Sequence, residues 1–470
     1  MEDKLRFDPT QYAAKTLEMD GRTVTYRAFM GIPYIEKPAD GEFQKLNLFA
    51  PEAFFAGESI NGYDIRTAPI FVPNSVGGYR PGPAEQPGRH WDGAPNSIFQ
   101  ALDHGYVVVS PGLRGNGMTD ARGRRIGAAP AVICDYKAAV RWLRHNRDRI
   151  PGDTEKIITN GTSAGGAISS VMGATGNHPD YEPFLKAMGA ADERDDIFAA
   201  SCYCPITNLD HADAAYEWEF GGIHDYHRKK MLPPAPGESK PTFVPDEGEM
   251  TPEQVALSQA LRTLFPSYLN SLGLTDDAGE PLTLDDRGGG SFRDYVLAVV
   301  LRSAQGQLDK GEDLSAMDWL TVENGRAVSA DFGKYAAFRT RMKSAPAFDN
   351  IALGTPENQL FGTADVGERH FTRFGHEHSL VDGAMADGLQ VKMMNPMNYI
   401  GDAQATVAGH YRIRHGSVDR DTSLAISAML TAKLRMNGVA AELEYPWGVP
   451  HSGDYDLPEL FAWIDSICKE

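Results

Sequence analysis

From its start to about residue 205, the chain alternates short β-rich runs with stretches of helical periodicity, the pattern of a sheet with helices packed on its faces. Residues 24–29, 46–49, 68–72, 106–110, 156–159 and 199–204 predict strands, each ending in Pro, Gly or Asn punctuation. Between the fourth and fifth of these, Val132, Tyr136, Ala139, Val140 and Leu143 recur at helical spacing and predict a helix within residues 131–150, lying against the sheet.

The texture then changes. Residues 208–397 hold Pro, Gly and acidic loops such as LPPAPGESKPTFVPDEGEM and amphipathic helical patterns near residues 256–272 and 292–307, while strand signals almost vanish. The strand pattern returns in HYRIRHGSVD and AAELEYPW, each followed by a short segment and a helix. The predicted architecture is one α/β unit, residues 1–207 and 398–470, interrupted by a mainly helical cap at residues 208–397. An independent second domain would leave the last two strand-helix units without a sheet to join.

Composition narrows the partners. The chain has 470 residues, 42% of them hydrophobic, so a substantial core can form. A net charge of −19 repels nucleic-acid phosphates and anionic membrane surfaces, so neither is an expected partner. The N-terminal MEDKLRFDPTQY has no signal-like apolar run and no segment is suited to span a bilayer, so a cytoplasmic location is expected. Cys134, Cys202, Cys204 and Cys468 are too few for a disulfide scaffold, and one Cys-x-Cys pair is half of a zinc site; they read as reduced and structural, Cys202 and Cys204 alternating along a strand.

Candidate chemistry begins at Gly161-Thr162-Ser163-Ala164-Gly165, a GxSxG pattern whose small residues allow the sharp strand-to-helix turn that exposes a nucleophilic serine. Five residues are a short signal, but a strand precedes them and GAISSVM reads as the start of a helix after them. The amide of Ala164 is then one oxyanion donor, and a second is expected from PNSVGGY after the third parallel-strand candidate, at Gly77 or Gly78. This fold orders its triad Ser, acid, His. His451, in PHSGD beyond the last strand, is the candidate base; His410 and His415 fall in or beside a strand and read as packed residues. The acid is Asp419 or Asp421, and spacing does not choose between them, because whichever is not the acid could cap the helix that follows.

NGTSAGGA, PNSVGGY, YCPITNLDHADAAYEW, SFRD, TRMKSAPAFDN, TPENQLFG, YRIRHGSVDRDTS and PHSGDYDL together resemble the bacterial tannases, tannin acyl hydrolases of the α/β-hydrolase superfamily. The resemblance runs nearly end to end. It implies the triad Ser163, Asp419 and His451, and frees Asp421 to join Lys343 and Glu357 around a galloyl ring, with Ile206 and Pro356 flanking it. Two carboxylates and an ammonium suit three adjacent phenolic hydroxyls. The cysteines that adjoin serine and histidine in secreted fungal relatives are replaced here by Thr162 and Pro450. The implied activity is hydrolysis of galloyl esters, releasing gallic acid, with no metal or organic cofactor and a small phenolic ester as partner. A feruloyl esterase using the same triad is the alternative, to be distinguished by the hydroxyl-binding trio.

Overall fold

The computed structural model describes residues 3–90, 93–232 and 242–469. Its strands are β1 (Ala13–Met19), β2 (Arg22–Pro33), β3 (Lys45–Pro51), β4 (Pro69–Pro73), β5 (Val107–Pro111), β6 (Asp153–Thr162), β7 (Ala199–Tyr203), β8 (Asp225–Leu232), β9 (Thr242–Glu249), β10 (Leu320–Glu323), β11 (Arg326–Ala330), β12 (His410–Arg414) and β13 (Ala440–Glu444). Nine of them form one sheet in the order β1-β2-β3-β5-β4-β6-β7-β12-β13. The β1, β2, β3 and β5 pairings are antiparallel and those from β5 through β13 are parallel. This is the sheet with packed helices expected from the alternating pattern, and the α/β-hydrolase architecture that the resemblance implied.

The central strands β4, β5 and β7 are buried at every position, as parallel strands covered on both faces must be, which explains why their sequences are apolar runs rather than alternations. The edge strand β1 gave no strand signal: AAKTLEM is mostly exposed and rich in helix formers, and its conformation comes from pairing along β2. The predicted helix within residues 131–150 is Ala131–His145. It stops early because the Asn146 side chain bonds the N-terminal segment, accepting from the Phe7 amide at 2.7 Å and donating to the Leu5 carbonyl at 3.0 Å. No helix among the described residues is long and apolar enough to cross a membrane.

Among the described residues between β7 and β12 no strand joins the main sheet, and β12 re-enters beside β7, so the sheet resumes where it paused. The expected helices are Pro252–Ser271 and Ser291–Leu308. Strand structure does not vanish here, however. β8 pairs with β9 and β10 with β11 as two separate antiparallel hairpins; β10 and β11 are largely exposed and too short to announce themselves. The run read as the loop LPPAPGESKPTFVPDEGEM begins at the end of β8, lies outside the described residues over 233–241, and is the strand β9 over most of the rest.

Two wholly buried ion pairs tie the chain near residue 340 to the helix Leu209–Phe220: Arg339 pairs with Glu219, and Arg341 with Glu217. Glu217 also accepts from Arg341 Nη1 at 2.9 Å and from the Ser258 hydroxyl. Removing one member strands a charge in a dry environment. Arg341→Met should therefore lower unfolding free energy by about 3–5 kcal/mol, and Arg341→Met with Glu217→Leu should recover most of it, as read by chemical denaturation. A single-variant loss below about 1 kcal/mol would show that this pair holds nothing together.

Candidate active site

β6 runs into the helix Ala164–Ala174 through Ser163, whose φ of 62° and ψ of −123° are unusual for a residue with a side chain. Strain of this kind at a strand-to-helix turn is what lifts a serine clear of the sheet. The flanking residues have to be small. A Cβ on Gly161 would meet Asn74 Nδ2 and the Gly165 carbonyl at 2.4 Å, and one on Gly165 would meet Asn74 Oδ1 at 2.6 Å and the Val76 carbonyl at 2.8 Å. These contacts press the loop after β4 against the turn. Asn74 Nδ2 bonds the carbonyls of Asn160 and Gly165 at 3.0 and 3.1 Å, which fixes the path of Gly77 and Gly78 nearby. Gly78 has a φ of 54°. Ala164 opens its helix, so its amide has no acceptor within that helix.

His451 reaches this turn on the loop after β13. A Cβ on Gly453 would lie 1.8 Å from Thr162 Oγ1, and Asn160 Nδ2 donates to Asp454 Oδ1 at 2.9 Å, so the loop rests directly on the residue before Ser163. His451 Nδ1 sits 2.7 Å from Asp419 Oδ2. Asp419 is fully buried, which would by itself raise its carboxyl, but His451 and His415 outweigh burial and hold it well below the usual range. Burial likewise opposes charge on His451, and Asp419 and Asp421 together overcome it, raising the imidazole well above 6.5. The capping role left open for Asp421 is taken by another residue. Ser423, not Asp421, caps the helix Leu424–Met436, its hydroxyl accepting from the Ala425 amide.

Asp421 instead bonds Lys343, Oδ1 to Nζ at 3.0 Å, and the Lys343 ammonium lies 4.0 Å from the centre of the Phe348 ring. Burial would raise the Asp421 carboxyl, yet Lys343 and His451 hold it below its ordinary value. Glu357 is buried at the first turn of the helix Pro356–Leu360, and burial raises its carboxyl against the opposing field of Lys343. The three groups thus share one electrostatic neighbourhood, brought together from positions far apart in the chain. Pro356 is held through its carbonyl by Asn116 Nδ2 at 2.7 Å, and Asn116 in turn donates its amide to Tyr79 of the loop after β4. Ile206 lies beside the turn, its amide 3.4 Å from the Ser163 carbonyl and its own carbonyl accepting from the Tyr79 hydroxyl at 3.1 Å.

Sequence reasoning missed three neighbours. His415, read as a packed or hydrogen-bonded residue in or beside a strand, is indeed wholly buried just past β12, but it also lies 3.2 Å from Asp419 Oδ2. Cys204, read as part of a strand, falls one residue beyond β7, has a φ of 35°, and places its sulfur 3.9 Å from His451 Nε2. Arg339 donates from Nη1 to the Asp419 carbonyl at 3.1 Å. Only the i, i+4 spacing of His415 and Asp419 could have hinted at any of these. Ligand atoms of Cys204, Asp419 and His451 lie within 4.8 Å of one another, the one such group among the described residues. Two of its members are already bonded to each other, and burial raises the Cys204 thiol, so the donor chemistry does not favour a resident metal.

The BD-FAE family profile matches residues 88–221. The carboxylesterase NlhH of Mycobacterium tuberculosis is 32% identical over 123 residues, covering 25% of this chain and 38% of that protein. The esterase LipC of the same organism matches over only 14% of its own length, so this chain aligns with a minor part of these relatives. Solved structures match throughout. A tannase from Lactobacillus plantarum is 46% identical with a TM-score of 0.96, covering 99% of this chain and 100% of that one. A tannase from Fusobacterium nucleatum and a tannin acyl hydrolase in complex with ethyl gallate are each 45% identical with a TM-score of 0.93, covering 99% of both chains. At that identity over the whole length, and with a strained serine turn, a histidine loop resting on it and a buried carboxylate behind, the chain belongs to the tannase family of α/β-hydrolase esterases.

Proposed function

We propose that this protein hydrolyses galloyl esters to gallic acid, with Ser163 as nucleophile, His451 as general base and Asp419 as the orienting acid. The observation that carries the reading is the convergence of Lys343, Asp421 and Glu357 next to the His451–Asp419 pair, an ammonium and two carboxylates where a small polar ring would lie. Three adjacent phenolic hydroxyls can donate to the carboxylates while the ammonium polarises them. Ile206 and Pro356 flank the ring. His451 takes the Ser163 proton as the oxygen attacks the ester carbonyl, and the amides of Ala164 and of Gly77 or Gly78 stabilise the oxyanion. The protonated imidazole gives its proton to the leaving alcohol, and water repeats the cycle to free gallate.

Residues 208–397 act in this reading as a cap carrying Lys343 and Glu357, while residues 1–207 and 398–470 form the catalytic core. The four buried, unpaired cysteines suit a reducing, cytoplasmic setting.

Ser163→Ala should retain the thermal transition of the wild type and lose hydrolysis of methyl gallate by on the order of 10⁴-fold or more in kcat. Turnover near that of the wild type would remove the assignment of the nucleophile. Methyl gallate should exceed methyl benzoate in kcat/KM by up to about 10⁴-fold, because a ring without hydroxyls leaves buried charges unsatisfied. Lys343→Ala, Glu357→Ala and Asp421→Ala should each weaken gallate ester hydrolysis and spare a short aliphatic ester. A preference for methyl ferulate would support the feruloyl esterase alternative instead.

Activity requires neutral His451, whose raised imidazole holds its proton to higher pH than usual. In a pH profile of kcat/KM, activity should be present above that raised value and fall as pH drops through it, placing the acid limb above 6.5. An acid limb below 6 would contradict the paired state of His451 and Asp419.

A further inference from the structure

Asp419 Oδ2 is shared by two imidazoles, His451 Nδ1 at 2.7 Å and His415 Nε2 at 3.2 Å, and His415 Nδ1 is itself 2.9 Å from the Ser427 hydroxyl. We propose that Ser427 and His415 form a second arm on the orienting carboxylate, making His415 a positioning residue for the Ser163–His451 pair. The inference rests on the assignment of Asp419 as the acid of that triad.

Proton placement follows from elementary satisfaction of donors. His415 is wholly buried, and a bare Nε2 lone pair facing the Asp419 carboxylate at 3.2 Å would repel it, so the proton belongs on Nε2. Nδ1 must then accept from Ser427. The Ser427 hydroxyl has two acceptors in reach, His415 Nδ1 at 2.9 Å and the Leu424 carbonyl at 3.1 Å, and with the imidazole proton on Nε2 it serves the shorter contact to His415. The Nε2–H is not aimed straight at the carboxylate, so its effect is that of a nearby positive dipole rather than of a well-formed hydrogen bond.

Backbone constraints hold this arm in place. The His415 amide donates to the Glu444 carbonyl of β13, and a Cβ on the next residue, Gly416, would lie 2.0 Å from the Val449 carbonyl on the His451 loop. His415, Asp419 and His451 therefore cannot shift independently. The remaining polar and charged groups around them are Asp421 and Cys204 beside His451, the Asp421 amide on Asp419 Oδ1 at 2.8 Å, Arg339 with its partner Glu219, and the phenols of Tyr335 and Tyr445.

Loss of the His415 dipole concentrates negative charge on the His451 side of Asp419. His451 should then hold its proton more tightly, and its ring should be less well oriented for Ser163. The test compares His415→Leu, His415→Gln and Ser427→Ala with the wild type, by pH profiles of methyl gallate hydrolysis and by NMR titration of the His451 ring. His415→Leu should lower kcat about tenfold or more with KM little changed, and move both the acid limb and the His451 titration to higher pH. His415→Gln, which keeps an N–H donor, should return both toward the wild type, and Ser427→Ala should shift them in the same direction by less. An unchanged titration and kcat in His415→Leu, or equal losses in the Leu and Gln variants with no shift, would overturn the proposal. Should His415→Leu not fold, an unshifted Ser427→Ala would do the same. The NMR titration needs no substrate, so it separates this inference from the substrate reading, which fails instead if the wild type leaves galloyl esters intact.

Discussion

Asp419 carries a charge in a place from which water is excluded, and much of the surrounding architecture is arranged to permit it. A carboxylate moved from water into a protein interior is strongly disfavoured unless donors replace its lost hydration. Here those donors are His451 and the Asp421 amide, with His415 close by. Each arrives from a separate piece of chain: the end of β12, the turn before the helix Leu424–Met436, and the loop after β13. The need to satisfy one anion draws these pieces together at the rim of the parallel sheet, beside the strained turn that presents Ser163.

The loop that carries Asp419 is also fastened to the segment between β7 and β12. Tyr335 donates to the Ser417 carbonyl, Arg339 to the Asp419 carbonyl, Arg420 to the Thr340 hydroxyl, and Tyr216 to the Arg420 carbonyl. Every one of these bonds fastens the backbone or side chains of the acid loop to residues between β7 and β12. Arg339 itself is held by Glu219 in a wholly buried pair. A free movement of this segment over the sheet would break these contacts, so it supports the loop that carries Asp419.

The wall is polar for a related reason. Arg341 and Tyr216 fix the backbone of Lys343 from both sides, through its carbonyl and its amide, and Asp213 accepts the amides of Phe348 and Asp349 a few residues on. Burial pushes the Asp213 carboxyl up to about 7. Asn358, next to Glu357, donates to buried Asp349, which also bonds His370. The backbone around Lys343 and Glu357 is thus fixed by a further layer of buried polar contacts.

The sequence by itself determined what local rules govern. Apolar runs placed the central strands, helical spacing placed the helix against the sheet, and small residues around Ser163 marked the strand-to-helix turn, with His451 in PHSGD as the candidate beside it. These features depend on neighbours within a few residues, so they survive without knowledge of the fold. The resemblance to tannases added Lys343, Glu357 and Asp421. Tertiary structure decided the rest: the two hairpins, which stand apart from the main sheet; the edge strand β1, whose form comes from its partner; the capping role of Ser423 that leaves Asp421 free for Lys343; and the positions of His415, Cys204 and Arg339 around Asp419 and His451. Satisfying a buried charge requires donors from whichever segments happen to be adjacent in space, and no periodicity in the chain records that adjacency.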